Sequence, residues 1–184
     1  MKLIFDLFFN NDYRVFGIEE HEYEKLPVLF NTLDLLGPVA DLGFYIIDYY
    51  KQKVIYLSNN ITKWSGITIY GVEKNGIDFI SDKDIKMLIE INSAFFEFIK
   101  TRPSEEYTKL SLSYNFRILT EQAKYLINQT YTPLLVRNGK IWLGLCTITL
   151  SSRSSTGNIL LRIKDSDTFL DTRSKTISGQ NIHQ

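Results

Sequence analysis

One cysteine in 184 residues, Cys146, is too few for a disulfide within the chain. That scarcity fits a reducing compartment. An excess of charge of either sign is also missing, since 21 Lys and Arg face 21 Asp and Glu. Nucleic-acid binding draws on a basic surplus to neutralise phosphates, so direct DNA or RNA binding by this chain is not expected. The only histidines are His21 and His183, without the carboxylates that would complete a zinc site. No apolar run approaches the ~20 residues of a membrane-spanning helix. Residues 1–9 are apolar but interrupted by Asp6, and no small-residue cleavage site follows them. A cytoplasmic location without a membrane segment is the expectation. The chain also lacks a nucleophile elbow, a Gly-rich phosphate loop and paired-carboxylate spacing, so enzymatic activity is not expected either.

What is present is a core. Hydrophobic residues make up 44% of the chain and aromatics 14%, enough for one packed domain. Residues 107–150 read as three antiparallel strands in succession. Leu110, Leu112, Tyr114, Phe116 and Ile118 alternate with Lys109, Ser111, Ser113, Asn115 and Arg117, the period of two that separates the faces of a strand. A turn at 120–123 leads to a strand at 124–137. Asn138-Gly139, both tolerant of positive φ, then makes a hairpin into 140–150.

Upstream, residues 19–36 carry Tyr23, Leu26, Leu29, Phe30, Leu33 and Leu36 at helical spacing, with Pro27 inside the pattern and Gly37-Pro38 expected to end it. Residues 43–50 and 53–58 read as a strand pair, and 60–66 as a short helix capped by Asn60 and stopped by Gly66. Asn75-Gly76 marks a turn. Ser81 and Asp84 have capping-box spacing before the longest helix, whose stripe is Ile85, Leu88, Ile89, Phe95, Phe96 and Ile99. Residues 151–157 read as a polar loop, 158–163 as a strand and 164–184 as a linker or tail.

The order of these pieces resembles a PAS domain over residues 41–150. Tyr45-Ile46-Ile47-Asp48 and Val54-Ile55-Tyr56-Leu57-Ser58-Asn59-Asn60 are similar to its opening hairpin and first helix. Residues 79–84 (FISDKD), 114–119 (YNFRIL) and 133–142 (PLLVRNGKIW) resemble its later segments. A nearer likeness is to the N-terminal sensory module of bacterial LuxR-type helix-turn-helix regulators. The resemblance implies an α+β fold with a five-stranded antiparallel sheet in the order 2-1-5-4-3 and helices on one face. It implies a helical extension over 1–38, a sensory domain over 39–165 and a linker or tail over 166–184. It also implies that the third strand is an edge. The residues up to Gln184 include no helix-turn-helix, so a signal would pass to a DNA-binding domain not among them.

The resemblance also implies a cavity between sheet and helices. Tyr45, Ile47, Trp64, Phe79, Phe95, Phe96, Tyr114, Phe116 and Tyr131 are expected there, as plain core or as a pocket for a small molecule. Arg117 alternates onto the polar face, away from such a pocket. No cofactor is expected: the Asn-Cys-Arg motif of flavin photoreceptors is absent, and neither histidine lies on the long helix that holds haem in such domains. Cys146, among apolar neighbours, is expected to be buried and inert. Leu26, Leu29, Phe30, Leu33 and Leu36 are expected to cover the outer face of the sheet, where Trp142 and Ile148 of the fifth strand are expected to lie, and to support a homodimer. Two other readings stand beside the sensory one. One is a ligand-free dimerisation module. The other is a small enzyme on a cupped sheet, for which Asp48 is the one strand carboxylate placed to serve.

Overall fold

The computed structural model describes residues 13–75, 78–120, 123–164 and 169–171. The apolar N-terminal stretch, the turn at Gly76, His183 and most of the expected tail lie outside them. A 3-10 turn, Glu20–Lys25, leads directly into α1, Leu26–Ala40. Pro27 occupies the first turn of α1, where no backbone donor is needed. Contrary to expectation, Gly37-Pro38 does not end the helix. Pro38 falls in the last turn, where only one intrahelical bond is forfeited, and Asp41 closes the helix in the left-handed region at φ 53°.

β1 (Gly43–Asp48) and β2 (Lys53–Leu57) form the opening hairpin. Three helices follow: α2 (Asn59–Ser65), α3 (Ile69–Asn75) and α4 (Asp82–Lys100). Gly66 stops α2 at φ 73° as predicted, but Ser58 rather than Asn60 is its N-cap residue. The Asn60 carboxamide instead donates to the Leu42 carbonyl at 2.9 Å. A 3-10 turn, Ser104–Lys109, holds Tyr107, so the third strand begins later than its alternation suggests. β3 (Leu110–Leu119), β4 (Lys124–Arg137), β5 (Lys140–Leu150) and β6 (Gly157–Ile163) complete the main sheet, and β7 (Phe169–Asp171) adds a short final strand. Asn138 and Gly139 turn the β4–β5 hairpin at φ 51° and 70°, as their chemistry requires.

The sheet order is β2-β1-β5-β4-β3-β6-β7, antiparallel at every pairing. Its first five members follow the expected 2-1-5-4-3, with β5 held between β1 and β4. β3 is not an edge, however. β6 pairs with it from Leu110↔Ile163 onward, and β7 pairs with β6, so the stretch expected as linker carries a strand. β3 is consequently interior to the sheet, although Ser111, Ser113 and Arg117 on its polar face stay partly exposed. There Asn115 is buried and accepts a hydrogen bond from the Asn128 carboxamide at 2.7 Å.

β5 carries the main departure from strict alternation. Leu134 of β4 is extra between the pairs Pro133↔Gly144 and Leu135↔Leu143, and Trp142 of β5 is extra between Leu135↔Leu143 and Val136↔Ile141, so the two strands regain their register beyond it. A one-residue slip moves side chains to the other face. Trp142 and Ile148, expected together on the outer face, therefore part. The Trp142 ring meets Tyr23 of the N-terminal segment edge-on at 5.4 Å, while Ile148 faces the helices.

The N-terminal segment covers one end of the outer face. Phe30 of α1 stacks on Tyr56 of β2 at 4.7 Å, and Asp34 accepts from the Tyr56 hydroxyl at 3.0 Å. Leu26 and Leu33 are buried and Leu29 packs against the core, but Leu36 is about half exposed. Val28, Leu35 and Val39 are exposed more fully, so α1 presents a second apolar stripe outward.

Candidate functional site: a cavity between sheet and helices

Paired residues of neighbouring strands share a face, and one such row defines the site. Tyr45 pairs with Cys146, Cys146 with Tyr131, and Tyr131 with Leu112. Two residues along, Gln129 pairs with both Ile148 and Tyr114, and Ile127 with Phe116. This concave face and the helices enclose a cavity of about 110 Å³. The sheet contributes Tyr45, Ile47, Tyr114, Phe116, Ile127, Gln129, Tyr131 and Ile148. Trp64 of α2, Val72 of α3, and Leu88 and Asn92 of α4 close it from the other side, with Phe79 and Ile80 at the mouth of α4.

Seven of the nine residues expected at a pocket thus meet around one space: Tyr45, Ile47, Trp64, Phe79, Tyr114, Phe116 and Tyr131. Phe95 and Phe96 are buried one layer behind it. Phe95 meets the Tyr131 ring edge-on at 5.3 Å, and Phe96 lies between Tyr49 and Tyr13. Sequence reasoning missed Tyr49, Asn92 and Gln129. For Gln129 a signal existed, because it alternates in phase with Ile127 and Tyr131.

Hydrogen bonding organises the polar atoms of the site. The Tyr45 hydroxyl donates to Gln129 Oε1, and Gln129 Nε2 donates to the Tyr114 hydroxyl oxygen. The Tyr131 hydroxyl is buried and makes no hydrogen bond of good geometry, while Tyr49 stands beside it and engages it electrostatically. Gly144 makes room for that ring: a Cβ there would fall 2.4 Å from Tyr131 Cε2. Cys146 is fully buried in the midst of these tyrosines. Burial pushes its thiol up to about 12, against a smaller opposing effect of the Tyr45 hydroxyl. Burial likewise raises the hydroxyls of Tyr45, Tyr49, Tyr114 and Tyr131 above the usual phenol range. All of them are neutral at physiological pH.

The carboxylates nearby are turned away from this space. Asp48 is fully buried but points to the outer side, where it accepts from the Tyr23 hydroxyl and from the Tyr50 and Lys51 amides. Asp84, expected to complete a capping box, instead accepts from the Arg117 amide at 2.8 Å and from Arg117 Nη1 at 2.9 Å. Arg117 thus has a partner that its place on a polar face did not reveal. Among the described residues no group of three or more His, Cys, Asp or Glu could hold a metal ion. None of the described helices is long and apolar enough to cross a membrane.

No protein-family model matches the chain, and no curated protein matches it. Solved structures do. A LOV protein from Rhodobacter sphaeroides is 13% identical, with 75% of this chain and 71% of that one covered and a TM-score of 0.48. A sensory box histidine kinase/response regulator from Burkholderia thailandensis is 15% identical, covering 65% and 84%, with a TM-score of 0.46. The PAS domain of the fruit-fly ELK potassium channel is 10% identical, covering 67% and 97%, with a TM-score of 0.45. At these values each is a distant likeness of part of the fold.

Proposed function

We propose that this chain is a sensory module of the PAS type, which binds a small molecule in the cavity and passes its occupancy to another domain. The observation that carries the reading is the apolar recess itself, which is partly open to solvent. Well-packed interiors leave few voids larger than a water molecule. This one measures about 110 Å³ and keeps on its wall a buried hydroxyl that makes no hydrogen bond of good geometry. Such a void is costly to fold around unless something fills it. Its lining comes from the sheet and from α2, α3 and α4, so an occupant touches the sheet and all three of these helices.

The reading assigns binding and no catalytic step, because Asp48 and Asp84 are engaged elsewhere. On the sequence resemblance alone, the output is a LuxR-type DNA-binding domain not among these residues. The test is a thermal-shift survey of small metabolites against the parent chain and Leu88→Trp, which fills the space from α4. The reading expects at least one compound to stabilise the parent and not the variant. A survey that stabilises neither, or both alike, refutes it.

A second reading, a ligand-free dimerisation module, is favoured by the outward stripe of α1. Leu35 and Val39 are 76% and 86% exposed, more apolar surface than a lone helix ordinarily shows on one side.

A further inference from the structure

The cavity's chemistry narrows its occupant. Among the residues lining it, none is Lys, Arg, His, Asp or Glu. A charged ligand would lose its hydration and meet no counter-ion there, which disfavours anions and cations alike. The volume sets the second limit. Pockets for drug-sized ligands run to about 300–1,000 Å³, whereas an apolar cavity of about 150 Å³ suffices to hold benzene. At about 110 Å³ and partly open to solvent, this space lies near the second figure and far below the first, which sets its scale at one small ring.

The third limit is polar. Tyr131 is 5% exposed, and its hydroxyl makes no hydrogen bond of good geometry, with Tyr49 beside it. The Tyr114 hydroxyl oxygen already accepts from Gln129, which leaves its proton available for donation. Asn92 faces the same space from α4. Two phenol donors on one side of an otherwise apolar space are suited to a single oxygen atom, which can accept from one or both. Edge-on packing of Phe95 behind Tyr131 fixes that ring, and the bare backbone of Gly144 leaves it no slack toward the sheet.

We propose that the cavity takes one uncharged ring-sized molecule carrying a single hydroxyl or carbonyl oxygen, which pairs with the Tyr131 hydroxyl. This rests on the sensory reading above and specifies the class of its ligand.

The test is calorimetric titration of the full chain with phenol, toluene and benzoate at neutral pH, backed by thermal shift. Phenol is expected to bind and stabilise, toluene to bind about five- to tenfold more weakly for want of one hydrogen bond, and benzoate not to bind detectably. Tyr131→Phe should weaken phenol by a similar factor and leave toluene unchanged. If that variant fails to fold, Leu88→Trp supplies the second check and should abolish both. Benzoate binding as tightly as phenol overturns the proposal, as does equal affinity of phenol and toluene for the parent chain. A charged metabolite emerging from the survey, with phenol inert, overturns the neutral-ring assignment and leaves the sensory reading standing. Silence in both experiments overturns both.

Discussion

Tyr23 donates its hydroxyl to Asp48 at 2.6 Å, and this bond fastens the N-terminal segment to the turn of the first hairpin. The same carboxylate receives the Tyr50 amide at 2.8 Å and the Lys51 amide at 3.0 Å, so one buried group organises the turn and its cover together. Lys51 Nζ lies 3.6 Å from the centroid of the Tyr23 ring, on its π face. The ring also meets Trp142, whose indole N–H points to the Tyr23 oxygen at 3.4 Å.

Removing the two partners should therefore cost different amounts. Asp48→Ala strands two amides and a hydroxyl in a buried site and should destabilise by about 3 kcal/mol. Tyr23→Phe leaves Asp48 its two amides and should cost about 1–2 kcal/mol. Denaturant unfolding of both variants measures the difference. A Tyr23→Phe cost equal to that of Asp48→Ala would contradict the assignment of the turn to Asp48.

Gly144→Ala tests the close approach at the cavity. The added methyl would sit 2.4 Å from Tyr131 Cε2 and 2.8 Å from its hydroxyl, so the ring must move into the cavity. Overpacking of this kind costs about 1–3 kcal/mol. The expected outcome is a lower melting temperature together with lost binding of any cavity ligand. A variant with unchanged stability would show that the ring moves freely.

Alkaline pH should unfold the protein earlier than surface charge alone would. Burial raises the Cys146 thiol from its ordinary 9.0 to about 12. Because its folded value lies above the unfolded one, the stabilising contribution is fully present below about pH 9. It is lost as pH rises from there through about 12. The buried tyrosines shift in the same direction and add to the effect. Melting temperature should be flat from pH 6 to 8.5 as far as these groups are concerned and then fall, with the tyrosinate absorbance of the buried phenols appearing only on unfolding. A folded protein in which every tyrosine ionises near pH 10 would contradict the burial.

The stripe Val28, Leu35, Leu36 and Val39 makes a symmetric partner the expected cover for α1. Light scattering on the parent chain should give a dimer, and Leu35→Glu with Val39→Glu a monomer of similar stability. Deleting residues 1–38 should be harsher, because Trp142 then loses Tyr23 and the sheet its cover. Aggregation or a clear loss of thermal stability is expected. A parent chain that is monomeric at high concentration removes the dimer, and a truncated chain of equal stability removes the covering role.

How much of this was legible in the sequence depended on whether the signal was local. The β3–β4–β5 meander was readable from a period of two and from Asn138-Gly139, whose turn needs both residues at positive φ. The faces of β5 were not, because alternation assumes unbroken pairing and nothing local marks the extra residue at Trp142. Nor did any local feature show that the loop ahead of β6, 40 residues onward, would cover Asn115, whose carboxamide donates to the Ser155 carbonyl at 3.5 Å. Asp84 shows a conflict of signals. Its spacing from Ser81 suggested a cap within the helix, yet Arg117, 33 positions away, offers a charged partner as well as a backbone donor. α3 escaped notice because seven residues containing Gly71 carry too little helical periodicity to register. Most of the cavity's aromatic wall was anticipated, since aromatic residues on inward positions identify themselves, but its aliphatic part, such as Ile61, Leu88, Ile127 and Ile148, was not. Its polar groups were not, because Gln129 and Asn92 look like surface residues until their neighbours in space are known.

The Asp84–Arg117 pair has a mechanical consequence for α4. Around it, the Ser81 amide donates to the Arg117 carbonyl at 3.0 Å and the Leu119 amide to the Phe79 carbonyl at 2.6 Å. The start of the helix is thereby riveted to the end of β3 by backbone. The far end rests on rings and surface ion pairs, with Tyr13 stacked on Phe96 at 4.2 Å and bonded to Glu97. A helix anchored at one end and cushioned at the other behaves as a lever with its fulcrum at Asp84. Leu88 and Asn92 sit between the two, where an occupant of the cavity would press. Under the proposed sensory reading, displacement there would press Phe96 against Tyr13 of the N-terminal segment.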